Sequence, residues 1–296
     1  MKETILITGA GPNGVTGRRI KELLEADYNI LSPGSKELDL TDTKQVDQFF
    51  NDYEIDYVIH SAVLAPSRGH DNSSEDKELE NNLKMFFNLT RHSSDFKKMF
   101  YFGSGAEFDK RQEIVTFKEE DYLSRIPEDK YGFIKYILNS VTAGSRNIYN
   151  LRLFGVINPY EPPTRNVVSN LCAKTVLGQD LNLRRNCKFS FIDIDDVVKF
   201  IKYGIENELK YHSYNMSSGV FYIDEIANIV LELSNRDIAK TYAQEGLGNE
   251  YTADNTRLIS SNISLTTLQE SIKKVFVQMK NNLGQINLEE LDKRWK

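Results

Sequence analysis

The chain has 296 residues, of which 40% are hydrophobic and 27% are charged, so it can bury a full core in one large or two modest domains. Its formal net charge is −6 and it has no long Lys/Arg cluster, which excludes nucleic acid and anionic membranes as expected partners. No apolar stretch approaches the length of a membrane span and no secretory signal is evident, so we expect a cytoplasmic protein.

The first predicted unit is a strand, a glycine-rich turn and a helix. Residues 5–7 are an apolar run, and the residues that follow Gly17 have the apolar spacing of a helix. Gly9, Gly11 and Gly14 have the spacing of a dinucleotide fingerprint, in which glycines let the backbone approach a pyrophosphate at a helix N-terminus. We therefore predict a dinucleotide site here, with a purely structural turn as the alternative. The residues assigned to this site are Gly9, Gly11, Asn13, Gly14 and Val15.

Strands and helices continue to alternate through the first half of the chain. Predicted strands lie at residues 28–31, 57–60, 98–102 and 148–153, and predicted helices at about 79–90 and 127–145. Residues 37–42 are predicted to close a further short strand and to cap the next helix. Residues 65–78, rich in Ser, Asn and charge, predict a mobile surface loop. This alternation predicts a parallel sheet covered on both faces, that is, a Rossmann-type doubly wound α/β fold.

The pattern loosens after Gly155. Residues 158–164 concentrate proline and turn residues, which indicates the exit from a first domain. We predict a dinucleotide-binding domain over residues 1–155 and a smaller mixed α/β substrate domain over 156–296, with residues 190–210 returning to the first. Helices are predicted at about 167–177, 194–207, 223–233 and 265–279. Cys172 and Cys187 lack metal-ligand spacing, so we expect unpaired thiols and no metal site.

Three residues are the candidates for chemistry: Ser104, Tyr131 and Lys135. Ser104 follows a predicted strand, at the sheet edge where doubly wound folds bind ligands. Tyr131 and Lys135 are four residues apart on one helical face, and a nearby ammonium lowers the pKa of a phenol. Such a tyrosine can exchange a proton with a substrate carbonyl that a serine hydroxyl orients, which indicates carbonyl reduction or its reverse. An exposed amphipathic face is the alternative.

The motifs, taken together and in order, resemble a known family. GAGPNGVTG, ELDLTD, YVIHSA, FGSGAEF, PEDKYGFIK, LRLFGVINP, FSFIDIDDV and ADNTRL resemble the landmarks of the extended short-chain dehydrogenase/reductases that act on nucleotide-sugars, the NAD-dependent epimerase/dehydratase family. The nearest likeness is to the GDP-fucose synthase and dTDP-4-dehydrorhamnose reductase branch. The resemblance implies that Ser104, Tyr131 and Lys135 are the catalytic trio, that Lys135 also holds the nicotinamide ribose, and that the protein is a homodimer. It further implies that the cofactor contacts Asp39, Leu40, Ser61, Ala62, Val63, Asn82 and Phe154.

Departures from the family pattern narrow the predicted reaction. Sugar-nucleotide dehydratases of this family carry an Asp and a Glu where this chain has Gly105 and Ala106, and Glu107 lies one step out of phase. Fucose synthases carry a Cys and a His at positions that match Ala106 and Asn166. Without these acids and bases, water loss and epimerisation at C3 and C5 are disfavoured, and plain ketone reduction remains.

The end of the second predicted strand decides the expected cofactor. NAD-preferring folds place an acid there for the ribose 2′-OH, whereas this chain has Ser35 and Lys36 and no acid among residues 32–36. These residues favour NADP, with NAD as the alternative and Lys36 as a plain surface charge.

We therefore predict an NADP-dependent reductase of a 4-keto nucleotide-sugar or a related carbonyl. The alternatives are a C4 epimerase with bound NAD and a non-catalytic dinucleotide-sensing protein. The candidate substrate residues are Arg165, Asn166 and Arg184. Arg257 is expected to be structural.

Overall fold

The computed structural model of the chain describes residues 2–11, 14–66, 74–286 and 291. The strands are β1 (Thr4–Thr8), β2 (Asn29–Leu31), β3 (Tyr57–His60), β4 (Lys98–Ser104), β5 (Ile114–Phe117), β6 (Ile148–Leu153), β7 (Gly155–Ile157), β8 (Leu181–Leu183), β9 (Lys188–Asp193), β10 (Ser213–Met216), β11 (Gly219–Tyr222), β12 (Lys240–Tyr242) and β13 (Tyr251–Ala253). The α-helices are α1 (Val15–Leu24), α2 (Thr43–Asp52), α3 (Glu78–Thr90), α4 (Lys130–Ala143), α5 (Val167–Val176), α6 (Ile194–Glu206), α7 (Ile223–Ser234), α8 (Thr256–Ile259) and α9 (Leu268–Asn281). Short 3-10 helices span Glu75–Lys77, Gly105–Glu107, Glu119–Ser124 and Leu283–Gln285.

The main sheet has the strand order β10-β6-β4-β3-β1-β2, and its described strand pairs are all parallel. Alternate residues of each strand face opposite sides of the sheet. In β1, Ile5 and Ile7 pack into a core with α1 and α6, whereas Leu6 packs into a second core with α2, α3 and α4. Helices thus cover both faces, and the predicted Rossmann-type doubly wound fold is confirmed.

A second, mixed sheet has the order β11-β9-β13-β5, with β7 also paired to β9. In this sheet β11 runs antiparallel to β9, while β13 runs parallel to β9 and to β5. A third core joins α5, α7 and α9, and β8 and β12 form a separate two-stranded sheet. This smaller mixed unit is the one predicted for the C-terminal half.

The chain crosses between the two sheets more than once. β5 precedes residue 155 but lies in the second sheet, and β10 follows that residue but pairs with β6 in the main sheet. The helix α6 packs beside α1, where Arg19 Nε donates to Asp195 Oδ1 at 2.9 Å. The division at residue 155 and the return of residues 190–210 stay predictions.

Residues 37–42 form turns rather than the predicted end of a strand. Their carboxylates accept hydrogen bonds from nearby backbone N–H groups: Glu37 from Gly34 N at 2.7 Å, Asp39 from Thr41 N at 2.9 Å, and Asp42 from Lys44 N at 2.9 Å. Such local bonds compete with the pairing of strands. The predicted cap is confirmed, because Asp42 caps α2.

Two predicted helices begin three residues late. Asp129 caps α4 by accepting from Gly132 N at 2.9 Å, so Pro127 precedes the helix. Thr267 caps α9 together with Glu270, which places the first turn after residue 265. Within the predicted mobile loop, residues 67–73 lie outside the described residues. Cys172 and Cys187 are both free, as predicted. Nowhere in the described part of the chain is a helix both long enough and apolar enough to cross a membrane.

Candidate active site

Several of the predicted site residues lie at the carboxyl edge of the main sheet, in the turns that follow β1, β3 and β4. Thr8 at the end of β1 is in register with His60 at the end of β3, and His60 with Tyr101 on β4. Further along β4, Ser104 is in register with Leu153 at the end of β6. The glycine turn, the loop after β3 and the turn after Ser104 therefore lie side by side, where doubly wound sheets bind ligands.

The glycines of the first turn have different roles. Gly9 has a φ of +74°, and a Cβ there would lie 2.6 Å from Ala62 N, so both the backbone angle and the packing require glycine. A Cβ on Gly14 or Gly17 would overlap the Gly9 carbonyl group. Gly11 is open toward the described residues 2–11, 14–66, 74–286 and 291, among which the nearest neighbour of a Cβ would be Gly34 Cα at 3.7 Å.

These features fit a dinucleotide pyrophosphate. The α1 helix begins at Val15 after Gly14, which has no side chain to cap the first N–H groups. A helix N-terminus without a side-chain cap has N–H groups that can donate to an anion, and a glycine nearby lets the anion approach the backbone. Asn13, also assigned to the cofactor, lies outside the described residues.

The loop after β3 is held by a set of partly buried hydrogen bonds. Ser61 Oγ donates to the Thr8 carbonyl oxygen at 2.7 Å, and Ala62 N donates to Thr8 Oγ1 at 3.3 Å. The buried amide of Asn82 donates to Leu64 O at 2.7 Å and accepts from Leu64 N at 3.2 Å. Asn82 therefore holds the backbone that follows Val63, and direct contact of Ser61, Ala62, Val63 and Asn82 with a cofactor stays a prediction.

An acid that the sequence analysis missed lies at the end of β2. Ser35 and Lys36 are exposed in a turn, as their predicted role requires. The next residue, Glu37, accepts from Gly34 N at 2.7 Å, and Gly34 is the neighbour of the open Gly11. Glu37 directly follows residues 32–36, and this acid one position further on is the sequence signal for a ribose contact.

Two of the residues that the resemblance assigns to the cofactor, Asp39 and Leu40, lie just beyond this turn. Asp39 is exposed, and Leu40 is buried with its carbonyl oxygen bonded to Asn88 Nδ2 at 2.8 Å. Their contact with a cofactor stays a prediction.

Ser104 both ends β4 and caps the short 3-10 helix Gly105–Glu107. Its Oγ accepts from Ala106 N at 3.1 Å. The start of α4 packs against this turn, since a Cβ on Gly132 would lie 2.6 Å from the Ala106 carbonyl oxygen. Tyr131 precedes Gly132 in the first turn of α4. Its contact with the Ser104 hydroxyl or with a substrate stays a prediction.

Lys135 is buried beneath this turn, with 5% of its surface exposed. Its Nζ donates to the Phe102 carbonyl oxygen at 2.6 Å and lies 5.7 Å from the centre of the Tyr131 ring. Burial lowers the pKa of Lys135 to about 8, against the attraction of Glu107. The ammonium and the phenol thus face each other one helical turn apart, as their spacing predicted.

The predicted substrate residues are less clearly grouped. Asn166 caps α5: it accepts from Val168 N at 2.8 Å and donates to Val156 O at 2.9 Å. Arg165 precedes it and is half-buried, whereas Arg184 is exposed beyond β8. The role of all three in binding substrate stays a prediction.

Two aromatic residues lie beside Gly105, in the turn after Ser104. The Phe154 ring lies 4.9 Å from the ring of Tyr251, and both would contact a side chain at Gly105. Tyr251, which comes from β13 of the second sheet, was not among the predicted site residues.

Arg257 is held by contacts with neighbouring side chains. Its Nη2 donates to Glu120 at 2.7 Å and its guanidinium stacks 4.3 Å from the Tyr211 ring, consistent with the expected structural role.

Comparisons with known proteins agree with this architecture. The chain is 30% identical to a GDP-L-colitose synthase from Yersinia pseudotuberculosis over 109 residues, which span 36% of this chain and only 35% of that relative. The fold is similar to that of a GDP-L-fucose synthetase from Naegleria fowleri, with a TM-score of 0.81 and 18% identity over 97% of this chain and 95% of that one. It is also similar to a GDP-mannoheptose C4 reductase from Campylobacter jejuni solved with NADP bound, with a TM-score of 0.78 and 20% identity over 94% and 98% of the two chains.

A family model matches most of the chain, from residue 5 to residue 217. This range contains the glycine turn, Ser104, Tyr131 and Lys135. The chain therefore belongs to the NAD dependent epimerase/dehydratase family, and a nicotinamide dinucleotide is the cofactor class of this enzyme.

Proposed function

We propose that this enzyme is an NADP-dependent reductase of a 4-keto nucleotide-sugar or a related carbonyl. The observation that carries the proposal is the placement of Lys135 Nζ 5.7 Å from the Tyr131 ring centre, beside the turn that begins at Ser104. A positive charge facing a phenol favours loss of the phenolic proton, which is the chemistry that carbonyl reduction needs.

In the proposed reaction the protein residues bind, orient and supply a proton. When bound, the nicotinamide supplies a hydride for the carbonyl carbon. Tyr131 gives its phenolic proton to the carbonyl oxygen, and Ser104 orients that oxygen by donating a hydrogen bond to it. Lys135 stabilises the resulting phenolate until a proton from solvent restores the phenol. The C=O bond thus gains one hydride and one proton and becomes an alcohol.

The residues around the trio favour reduction over dehydration. The two positions after Ser104 are Gly105 and Ala106, which carry no acid or base. Glu107 is fully buried and its carboxylate is bonded to neighbouring residues, which places it away from a substrate. The amide of Asn166 caps α5. These positions offer no second proton donor or acceptor for moving a proton on the sugar ring.

The relatives suggest the first substrates to test. The colitose synthase, the fucose synthetase and the mannoheptose C4 reductase all have names that denote GDP-linked sugars. We propose GDP-linked 4-keto sugars as the substrate class, with UDP- and dTDP-linked ones as comparison.

A C4 epimerase with bound NAD is the second candidate. The observation in its favour is Glu37, whose carboxylate lies at Gly34 beside the open Gly11 and suits a ribose 2′-OH. Product analysis separates the two candidates. A reductase consumes one NADPH for each alcohol formed, whereas an epimerase turns over with no net change in the dinucleotide. Turnover without consumption of NADPH would refute the reductase.

A further inference from the structure

A charged pair lies fully buried beneath the turn after Ser104. Glu107 and Arg152 are both 0% exposed, and Arg152 Nε donates to Glu107 Oε2 at 2.7 Å. Arg152 is in register with Gly103, and a Cβ on Gly103 would overlap Glu107 Oε1, so the missing side chain makes room for the carboxylate. Burying two charges costs several kcal/mol per ion, and a buried ion pair often adds no net stability. Stability alone therefore does not account for the Glu107–Arg152 pair.

The Glu107 carboxylate is bonded to the backbone of the predicted catalytic serine. It accepts from Ser104 N at 3.0 Å, and this bond completes the capping box in which Ser104 Oγ accepts from Ala106 N. Asn150 Nδ2 also donates to Glu107 at 3.1 Å. With Arg152 as a further donor, the carboxylate is held on several sides, and it in turn fixes the backbone of Ser104.

The charge of Glu107 also favours the protonated form of the buried Lys135. The Nζ of this lysine is bonded to Phe102 O, two residues before Ser104, whose N–H donates to Glu107. The titratable groups that face this ammonium are His60 on β3, Tyr101 on β4, Tyr131 on α4 and Glu107 itself. Burial lowers the pKa of His60 to about 3, and burial raises the pKa of Tyr101, so both are uncharged near neutral pH. Of this set, Glu107 carries the negative charge that opposes loss of the Lys135 proton.

The same pair reaches toward the second sheet. Arg152 Nη1 donates to Asn215 Oδ1 at 2.8 Å, and Asn215 is in register with Arg152 on the neighbouring strand. Asn215 Nδ2 then donates to Phe117 O on β5 and to Asp254 O after β13, both at 2.9 Å. A continuous run of buried and partly buried polar contacts thus joins the turn after Ser104 to β5 and to the end of β13.

We propose that Glu107 is a positioning residue of this site, which fixes Ser104 through its backbone and holds a negative charge toward Lys135, while Arg152 and Asn215 tie this arrangement to the second sheet. This inference rests on the proposed function, because Ser104 and Lys135 act in that reaction. Glu107 contacts neither substrate nor cofactor.

The kinetic test compares Glu107→Gln with Glu119→Gln. Glu119 is a control at the Asn215 end of the same arrangement: it is also buried, at 3% exposure, accepts from Asn215 N at 2.8 Å and pairs with Arg257. Within the described part of the chain it makes no hydrogen bond or ion pair with Ser104 or Lys135, so it tests whether the charge must lie at Glu107. We expect Glu107→Gln to lower kcat/KM by roughly 10- to 100-fold and to move the alkaline limb of its pH profile to lower pH. Glu119→Gln should leave the limb in place. An unchanged limb in Glu107→Gln overturns the proposal.

A stability test keeps the proposal independent of activity. The free energy of unfolding is measured for Glu107→Gln, Lys135→Met and the double variant at about pH 6.5 and about pH 9.5, on either side of the lowered pKa. We expect a favourable coupling free energy between Glu107 and Lys135 at the lower pH. This coupling should be smaller at the higher pH, where Lys135 has lost its proton. The same cycle with Glu119→Gln should show no such change. Equal couplings for Glu107 and Glu119 overturn the proposal.

A third variant tests the proposal if Glu107→Gln does not fold. In Glu107→Gln the Arg152 guanidinium would remain buried without its carboxylate, which is a strongly destabilising arrangement. The third variant therefore combines Glu107→Gln with Arg152→Met, which removes both charges. We expect this variant to fold and to retain the shifted pH limb. A folded variant with the wild-type limb and the wild-type Lys135 coupling overturns the proposal. If wild-type protein reduces no keto nucleotide-sugar, the proposed function fails, whereas the coupling still decides the role of Glu107.

Discussion

The Lys135 ammonium donates a hydrogen bond of 2.6 Å to the carbonyl oxygen of Phe102, two residues before Ser104 on β4. This bond ties α4 to the strand that ends at the predicted orienting serine. Because Tyr131 lies one turn before Lys135 on α4, this bond also fixes the helix that carries Tyr131 relative to the strand that ends at Ser104. The proposed proton donor and the proposed orienting hydroxyl are thus held by two regular elements, which favours a preorganised site.

Tyr131→Phe removes the proposed proton donor and leaves the ring. We expect kcat for the reduction to fall by about 10²- to 10⁴-fold, with NADPH binding retained, because only proton transfer is lost. The rate of NADPH oxidation and NADPH binding are the measurements. Tyr136→Phe is the control, since Tyr136 is on the same helix but packs against Tyr122 at 5.6 Å. An undiminished rate in Tyr131→Phe would favour the non-catalytic alternative.

The activity should fall as the pH rises through the pKa of Lys135. Burial lowers this pKa to about 8 from the ordinary 10.5, so the ammonium that stabilises the phenolate loses its proton near there. The pH profile of kcat/KM tests this expectation. Lys135→Arg keeps the charge to much higher pH, so its residual activity should lack the limb. A limb at the same pH in both proteins would assign the titration to another group.

The lowered pKa also predicts the sign of a change in stability. Between about pH 8 and the ordinary pKa, the unfolded state binds more protons at Lys135 than the folded state does, so the free energy of unfolding should rise with pH across this window. Below it, the cost of burying the charge is fully present. Denaturant unfolding of wild type and Lys135→Met at several pH values measures the difference. A difference that does not change with pH would contradict the lowered pKa.

Two glycine substitutions separate folding from cofactor binding. Gly9→Ala forces a side chain onto a φ of +74° and against Ala62 N, so we expect a loss of about 1–3 kcal/mol in the free energy of unfolding. In Gly11→Ala, the nearest described atom to the new Cβ is Gly34 Cα at 3.7 Å, so stability should change by less than about 0.5 kcal/mol while NADPH binding weakens. Unchanged NADPH affinity in Gly11→Ala would mean that the pyrophosphate lies elsewhere.

The turn after β2 should decide between the two dinucleotides. If Lys36 contacts the 2′-phosphate, Lys36→Ala should lower kcat/KM for NADPH by roughly tenfold and leave the value for NADH unchanged. Glu37→Gln, which keeps an acceptor for Gly34 N, should not impair the use of NADPH. The ratio of the two kcat/KM values is the measurement. A selective loss of NADH use in Glu37→Gln would instead favour NAD and the epimerase.

The elements that the sequence predicted well are those with local signals. Apolar periodicity located β3 and β6 to the residue and predicted the helices to within a few positions. The i, i+4 spacing correctly placed Tyr131 and Lys135 on one face. The turn at residues 37–42 was mispredicted because carboxylate bonds to nearby N–H groups compete with strand pairing, and side-chain polarity alone does not decide between the two.

The sequence by itself determined the alternation of strands and helices, the glycine turn and the shared helical face of Tyr131 and Lys135, because each depends on residues that are close along the chain. Its resemblance to a known family joined Ser104 to these two residues and so completed the candidate trio. Only the tertiary structure decided the surroundings of that trio. Glu107 and Arg152 are separated by 45 positions and meet because β4 pairs with β6, and Asn215 joins them because β10 pairs with β6 in turn. Strand pairing sets such contacts, and it is chosen by the packing of whole faces rather than by any local pattern.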